Sequence, residues 1–149
     1  MNDVIAEFID YLSVERGLAA NTLESYSRDL KHFTKFLDQA PASSWDSVSR
    51  QTITAYLAHL KKEGKAPATI ARRLAALKSF YQFLVRERYI QKDPTLNLQS
   101  PKMEKKLPQV LTVKEVERLL GQPDARTAAG KRDRAMLELL YATGIRVSE

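Results

Sequence analysis

The chain contains no cysteine. That excludes a disulfide framework, a thiolate nucleophile and the cysteine-based zinc sites. Its two histidines, His32 and His59, lie too far apart in sequence to make a histidine-rich metal cluster, so no metal is expected. No apolar run approaches the roughly 18 residues that a membrane span requires. The N-terminus carries Asp3, Glu7 and Asp10 where a signal or transit peptide carries bases. There is no Gly-rich phosphate loop, no HExxH, no GxSxG and no Ser-His-Asp arrangement. The expectation is a soluble protein of a reducing compartment, with no membrane partner, no cofactor and no small-molecule ligand.

What is present is ordinary globular composition, 44% hydrophobic and 28% charged over 149 residues. That length can bury a core unaided. Lys and Arg number 24 against 18 Asp and Glu, a net charge of +6. Residues 1–60 are net acidic, residues 61–106 carry twelve bases against four acids, and residues 107–149 are close to neutral. A basic block beside an acidic one suggests a face for a polyanion, nucleic acid being the commonest. A solvated lysine-rich helix and linker would give the same charge.

Helix-period patterning dominates, and no strand-like alternation appears. A first helix opens at Asn2 or Asp3, repeats Val4, Ile5, Phe8, Ile9 and Leu12 on one face, and stops at Gly17. A second opens at Asn21-Thr22-Leu23-Glu24, which reads as a capping box with Asn as the cap. Its stripe is Leu23, Tyr26, Leu30, Phe33 and Leu37. A third starts near Ser47 to Ser49, buries Ile53, Tyr56, Leu57 and Leu60, and ends at Gly64. A fourth starts at Pro67, a favoured first-turn residue, and runs through Ile70, Leu74, Leu77, Phe80, Tyr81 and Leu84 to about Arg88. These four form a helical domain over residues 1–90. Residues 91–110, punctuated by Pro94, Pro101 and Pro108 and carrying Lys92, Lys102, Lys105 and Lys106, read as an extended basic linker. Thr112 through Glu115 is a capping box opening a fifth helix that stops at Gly121. A sixth begins around Thr127 to Lys131 and stops at Gly144. Residues 111–149 thus supply two helices and a tail, too little to stand alone as a core.

On the fourth helix Lys65, Thr69, Arg72, Arg73 and Lys78 lie on or near the face opposite Ile70, Leu74 and Leu77. Bases and a hydroxyl on one helical surface suit a major groove and its phosphates. The second helix offers Thr22, Ser25 and Arg28, with Asn21 read as capping. The six tyrosines fall on apolar stripes (Tyr26, Tyr56, Tyr81, Tyr141) or near helix ends (Tyr11, Tyr89), which points to packing. Spacing alone defines no active site.

The segment from Tyr141 to Glu149, with Thr143-Gly144-Ile145-Arg146, closely resembles the first catalytic-arginine motif of tyrosine recombinases, the phage integrase family that includes Xer-type resolvases. Arg132 to Leu140, Pro101-Lys102, Leu107-Pro108 and Leu111-Thr112 through Leu120 fit the same family. So do Glu15-Arg16-Gly17-Leu18, Asn21-Thr22-Leu23, Tyr26, Arg28-Asp29-Leu30, Ala71 to Leu74 and Ser79-Phe80-Tyr81. The resemblance covers the whole chain in one register. It implies an all-α chain: a four-helix SAM-like core-binding domain, the basic linker, and the first two helices of a truncated catalytic domain. It implies that the second and fourth helices face double-stranded DNA, and that Lys102, Lys105 and Lys106 track the phosphate backbone. It makes Arg146 the first of two catalytic arginines, holding the scissile phosphate, with Glu149 a nearby orienting acid. Arg suits that work because it stays protonated and offers a planar fork of donors. The resemblance further implies paired recombinase subunits in a tetrameric synapse, chromosome-dimer resolution, and a cytoplasmic location on a bacterial or archaeal nucleoid. The β-hairpin lysine, the His-x-x-Arg motif, the later histidine or tryptophan and the tyrosine nucleophile of the family have no counterpart, so the chain alone is expected to be inactive. Two alternatives stay open: a natural non-catalytic DNA-binding regulator, and a helical protein-interaction module.

Overall fold

Helix ends follow local chemistry closely. Ser49 caps α3 (Arg50–Lys62) by accepting from the Thr52 N–H, while the Thr52 side chain answers the Ser49 backbone. Thr112 and Glu115 form the equivalent box at α5 (Val113–Leu120), and Thr127 caps α6 (Ala128–Thr143) by accepting from the Gly130 N–H. Pro67 opens α4 (Pro67–Arg86). The computed structural model describes residues 2–38, 44–101 and 110–147; all of the regular structure among them is helical.

The start of α2 (Ala20–Leu37) departs from expectation. Its N-cap is Ala19, which has no side chain to offer, and Asn21 lies inside the first turn. The cause lies upstream. After α1 (Asn2–Val14), Gly17 turns with φ +59° and the Leu18 N–H returns to the Leu12 carbonyl. That closure turns the chain early, and the Ala19 carbonyl then receives the Thr22 and Leu23 N–H groups.

The chain divides into two units, Met1–Glu104 and Lys105–Glu149. In the first, α1 packs on α2, and both α2 and α3 pack on α4. Aromatic rings make the joints. Phe8 of α1 meets Phe80 of α4 edge to face at 5.2 Å, Phe33 of α2 meets Tyr56 of α3 at 4.9 Å, and Trp45 meets Phe80 at 4.8 Å. Ile53, Leu60, Leu74, Leu77 and Leu84 fill the spaces between.

Beyond α4 the structure differs from an extended linker. Arg88 adopts φ +62° and ends the helix where a glycine would be usual. Ile90, Thr95 and Leu98 are then buried. Asp93 accepts from both the backbone N–H and the hydroxyl of Thr95, and Lys78 donates to the Leu98 carbonyl at 2.6 Å. Two apolar anchors and a satisfied turn hold residues 90–101 to the helical unit; the prolines punctuate a packed strap. Residues 102–109 lie outside the described residues.

The second unit is a helix pair. Gly130 is buried against the Asp124 backbone, so close that a Cβ there would collide with it. Gly144 ends α6 in the left-handed conformation. The apolar side chains of Leu119, Met136, Leu139 and Tyr141 remain exposed.

The strap makes a direct prediction. Leu98→Ala should destabilise the first unit by about 2–3 kcal/mol, the usual cost of emptying a buried leucine site. Chemical denaturation monitored through Trp45 checks it. A loose linker would give no change.

Candidate nucleic-acid interface

α2 and α4 lie side by side, and a carboxylate sits between them. Asp29 is only 3% exposed, on the stripe that also carries Tyr26, Leu30 and Phe33. An ionised carboxylate cannot be buried without partners at a tolerable cost. It has two. Arg72 of α4 donates from Nη1 to Oδ2, and Arg73 brings Nε to 3.5 Å from Oδ1. Adjacent residues on a helix diverge by about 100°. One carboxylate therefore holds two guanidinium groups in different surroundings. The Arg72 side chain stays 45% exposed, whereas that of Arg73 is 13% exposed.

Arg73 turns inward, contrary to the open face expected for it. Its Nε and Nη1 are buried without a well-formed hydrogen bond. The Tyr56 hydroxyl lies in its field; burial pushes that phenol up to about 12, and Arg73 pulls it back. The same hydroxyl meets His32 Nδ1 at 3.0 Å. Burial, then the Arg73 charge, holds His32 below its ordinary value, with Glu63 opposing. Glu63 reaches His59 Nε2 at 3.2 Å and His32 Nε2 at 3.9 Å, and it lies 3.8 Å from Lys65 Nζ. A chain of polar contacts thus runs from Asp29 in the interior, through Tyr56 and His32, to Lys65 at the surface.

The other expected residues separate in the same way. Thr22 and Ser25 are half-buried on α2, and Thr69 is half-buried on α4. Arg28 is exposed and spans one turn to Glu24 at 2.5 Å. Lys78 faces the strap and its ammonium is spent on the Leu98 carbonyl. Lys102, Lys105 and Lys106 lie outside the described residues. Arg146 is exposed after Gly144 in the second unit. Glu149 lies outside the described residues. The arrangement leaves Lys65 in the turn before α4, Thr69 and Arg72 of α4, and Thr22, Ser25 and Arg28 of α2 as donors toward solvent, and Arg73 and Lys78 as internal ties. Hydroxyls and guanidinium groups on paired helices suit phosphate oxygens and base edges.

Asp29 carries the geometry, and the charge pattern passed over it. Its signal was an acid at an apolar position of a helical stripe, paired in kind with adjacent arginines on another helix. The tyrosines are also placed. Tyr56 and Tyr81 are buried, and burial raises both phenols, the wrong direction for a nucleophile. Tyr11 lies under the Arg86 guanidinium at 3.9 Å, and Tyr89 donates to Glu7. Among the described residues no group of three or more metal-ligating side chains is assembled, and no helix is long and apolar enough to cross a membrane.

A sequence profile of the phage integrase N-terminal SAM-like domain matches residues 5–88, and the chain belongs to that family. It is similar over its whole length to proteins named tyrosine recombinase XerD. The identity is 47% over 149 residues for the protein of Staphylococcus aureus strain Mu50 and 46% over 150 residues for that of Halalkalibacterium halodurans. All of this chain is covered in each case, and 50% of the relative. The chain therefore spans about half the length of the curated relatives it matches, their N-terminal half.

Two predictions follow from the Asp29 cluster. Burial, the larger influence, lifts the Asp29 carboxyl above 3.8, and Arg72 and Arg73 pull it down. The folded chain thus keeps this proton to higher pH than the unfolded chain. The contribution of this group to stability falls as pH rises from 3.8 through the raised value, and is level above it. A carboxyl-carbon NMR titration should place the midpoint above 3.8, and Arg72→Ala should move it higher still. A midpoint at or below 3.8 would contradict the burial argument. Separately, Asp29→Ala should cost about 3 kcal/mol or more, because Arg73 is left enclosed without its counter-charge. Urea unfolding measures it.

Proposed function

We propose that this chain is the DNA-binding N-terminal part of a site-specific tyrosine recombinase, serving DNA integration and recombination. The observation that carries the reading is the α2–α4 face: Lys65, Thr69 and Arg72 beside Thr22, Ser25 and Arg28, with Arg72 braced by a buried carboxylate. A solvated charge needs no such brace. The SAM-like family and the 47% identity to a tyrosine recombinase support the same conclusion.

In this reading residues 1–90 with their strap form half of a clamp on duplex DNA. The basic lysines of 91–110 cross the phosphate backbone, and 111–149 begin the catalytic domain. The exposed Leu119, Met136, Leu139 and Tyr141 of the second unit support the last point, since so much apolar surface suits a helix pair that belongs to a larger core. Arg146 would hold the scissile phosphate and stabilise charge on its non-bridging oxygens. Recombination would proceed by paired recombinase subunits in a tetrameric synapse, with chromosome-dimer resolution as the process the relatives' name favours. The work would be done in the cytoplasm, on the nucleoid.

The chain should bind duplex DNA with a non-specific Kd on the order of 10⁻⁴–10⁻⁶ M at physiological salt, weakening steeply as salt rises. Arg72→Ala should weaken binding and lower the log–log salt slope by roughly one. Incubated with a nicked suicide substrate, the chain should give no covalent adduct on a denaturing gel. Absence of duplex binding even at low salt would remove the reading and favour a protein-interaction module.

A further inference from the structure

His32 of α2 stands at the joint with α3. Its ring lies 5.8 Å from the ring of Tyr56, and its Nδ1 is 3.0 Å from the Tyr56 hydroxyl. The other ring nitrogen, Nε2, is 3.9 Å from Glu63, the residue that ends α3. The side chain is 31% exposed, so a proton from water can reach it. Charged groups surround it from each neighbour. α3 brings His59 and its capping Glu63, the turn before α4 brings Lys65, α4 brings Arg73, and α2 itself brings Asp29 one turn back. Glu63 is shared, 3.2 Å from His59 Nε2 and 3.8 Å from Lys65 Nζ.

The bond between His32 and Tyr56 has a direction. A phenol donates or accepts, a nitrogen of the neutral imidazole does only one of these, and a guanidinium can only donate. Arg73 is the cation that faces the Tyr56 oxygen. With a donor group on its oxygen, Tyr56 gives its own proton to His32 Nδ1. The neutral ring then carries its proton on Nε2, toward Glu63. A second proton can enter only at Nδ1. There it sets N–H against O–H beside Arg73, and the buried phenol loses its acceptor. Burial, then the Arg73 charge, accordingly holds His32 below its ordinary value, with Glu63 opposing. The exposed edge and the Glu63 carboxylate give the charged ring a place to turn.

We propose that His32 is a proton-operated latch between α2 and α3: neutral, it closes the joint by accepting from Tyr56; charged, it releases Tyr56 and turns to Glu63. The latch belongs to the helical unit and operates without DNA. The folded chain takes this proton less readily than the unfolded chain. The joint therefore loses stability as pH falls from 6.5 through the lowered value, and is level below it. Asp29 has the opposite sign, its contribution falling as pH rises. Each unit by which the folded His32 midpoint lies below 6.5 is a tenfold loss in the folding equilibrium constant.

The test is an NMR titration of the ¹⁵N-labelled full chain from about pH 8 to about pH 5, reading the imidazole nitrogens. His59→Gln assigns the two histidines. At the alkaline end His32 should show a bare Nδ1 and a protonated Nε2, and its midpoint should lie below 6.5. Tyr56→Phe removes the donor and should raise that midpoint. Glu63→Gln removes the compensating charge and should lower it further. Urea unfolding followed through Trp45 reads the joint itself. Wild type should lose more stability on acidification than His32→Gln, by the factor that the NMR midpoint dictates. A protonated Nδ1 at the alkaline end, a midpoint at or above 6.5, or a midpoint unmoved by Glu63→Gln would overturn the latch. So would a Tyr56→Phe midpoint that fails to rise, or equal losses in wild type and His32→Gln. Should Tyr56→Phe not fold, the wild-type tautomer and the Glu63→Gln shift still decide.

Discussion

One buried carboxylate organises the packing of α2 against α4. Asp29 cannot sit between α2 and α4 without cations, and the two it has are consecutive residues of one helix. Satisfying it fixes the rotation of α4 about its own axis. Arg73 is drawn in toward Tyr56, Arg72 is left at the rim, and the Ala75, Ser79 and Gln82 stripe is turned outward. A pair of well-packed apolar residues could have joined the helices with equal or greater stability. The ion cluster adds direction: it holds a guanidinium at a set place on the surface, already partly desolvated. A side chain held that way loses less freedom on meeting a phosphate than one free in solvent.

The remaining contacts support that arrangement. Among the aromatic joints, Phe8 ties α1 to Phe80 of α4, and Phe33 ties α2 to Tyr56 of α3. The strap of residues 90–101 takes up Lys78, which would otherwise add charge to the side of α4 away from the face. Basic residues are thus sorted by their partners. Arg73 and Lys78, turned toward their acceptors, serve the fold, whereas Arg72 keeps its acceptor Asp29 and still reaches the surface.

Much of this was legible in the sequence because helix ends are written in short-range chemistry. The Thr112 box, Pro67, Gly17, Gly64 and Gly144, with the α3 start near Ser47 to Ser49, all act within a few residues of themselves. What was not legible depended on tertiary partners. Asn21 has the local marks of a cap, but the closure of α1 on Leu18 moved the helix start ahead of it. Arg73 and Lys78 look like exposed bases until Asp29 and the Leu98 carbonyl are placed near them. Arg88 ends a helix in a conformation that its residue type does not advertise. The prolines of the presumed linker gave no sign that Ile90 and Leu98 would bury between them. Arg146 is singled out by the family resemblance alone; its exposed position after Gly144 carries no mark of a role in the local chemistry of α6.

The central claim is that α2 and α4, set by Asp29, form the surface that meets DNA. The most direct measurement is a ¹⁵N–¹H NMR titration of the chain with a short duplex. Amide shifts should change along Thr22 to Asp29 and along Thr69 to Gln82, while the acidic face of α1 around Glu7 and Asp10 stays still. Changes centred on α1 or on the exposed apolar residues of α6, with α4 silent, would contradict the account.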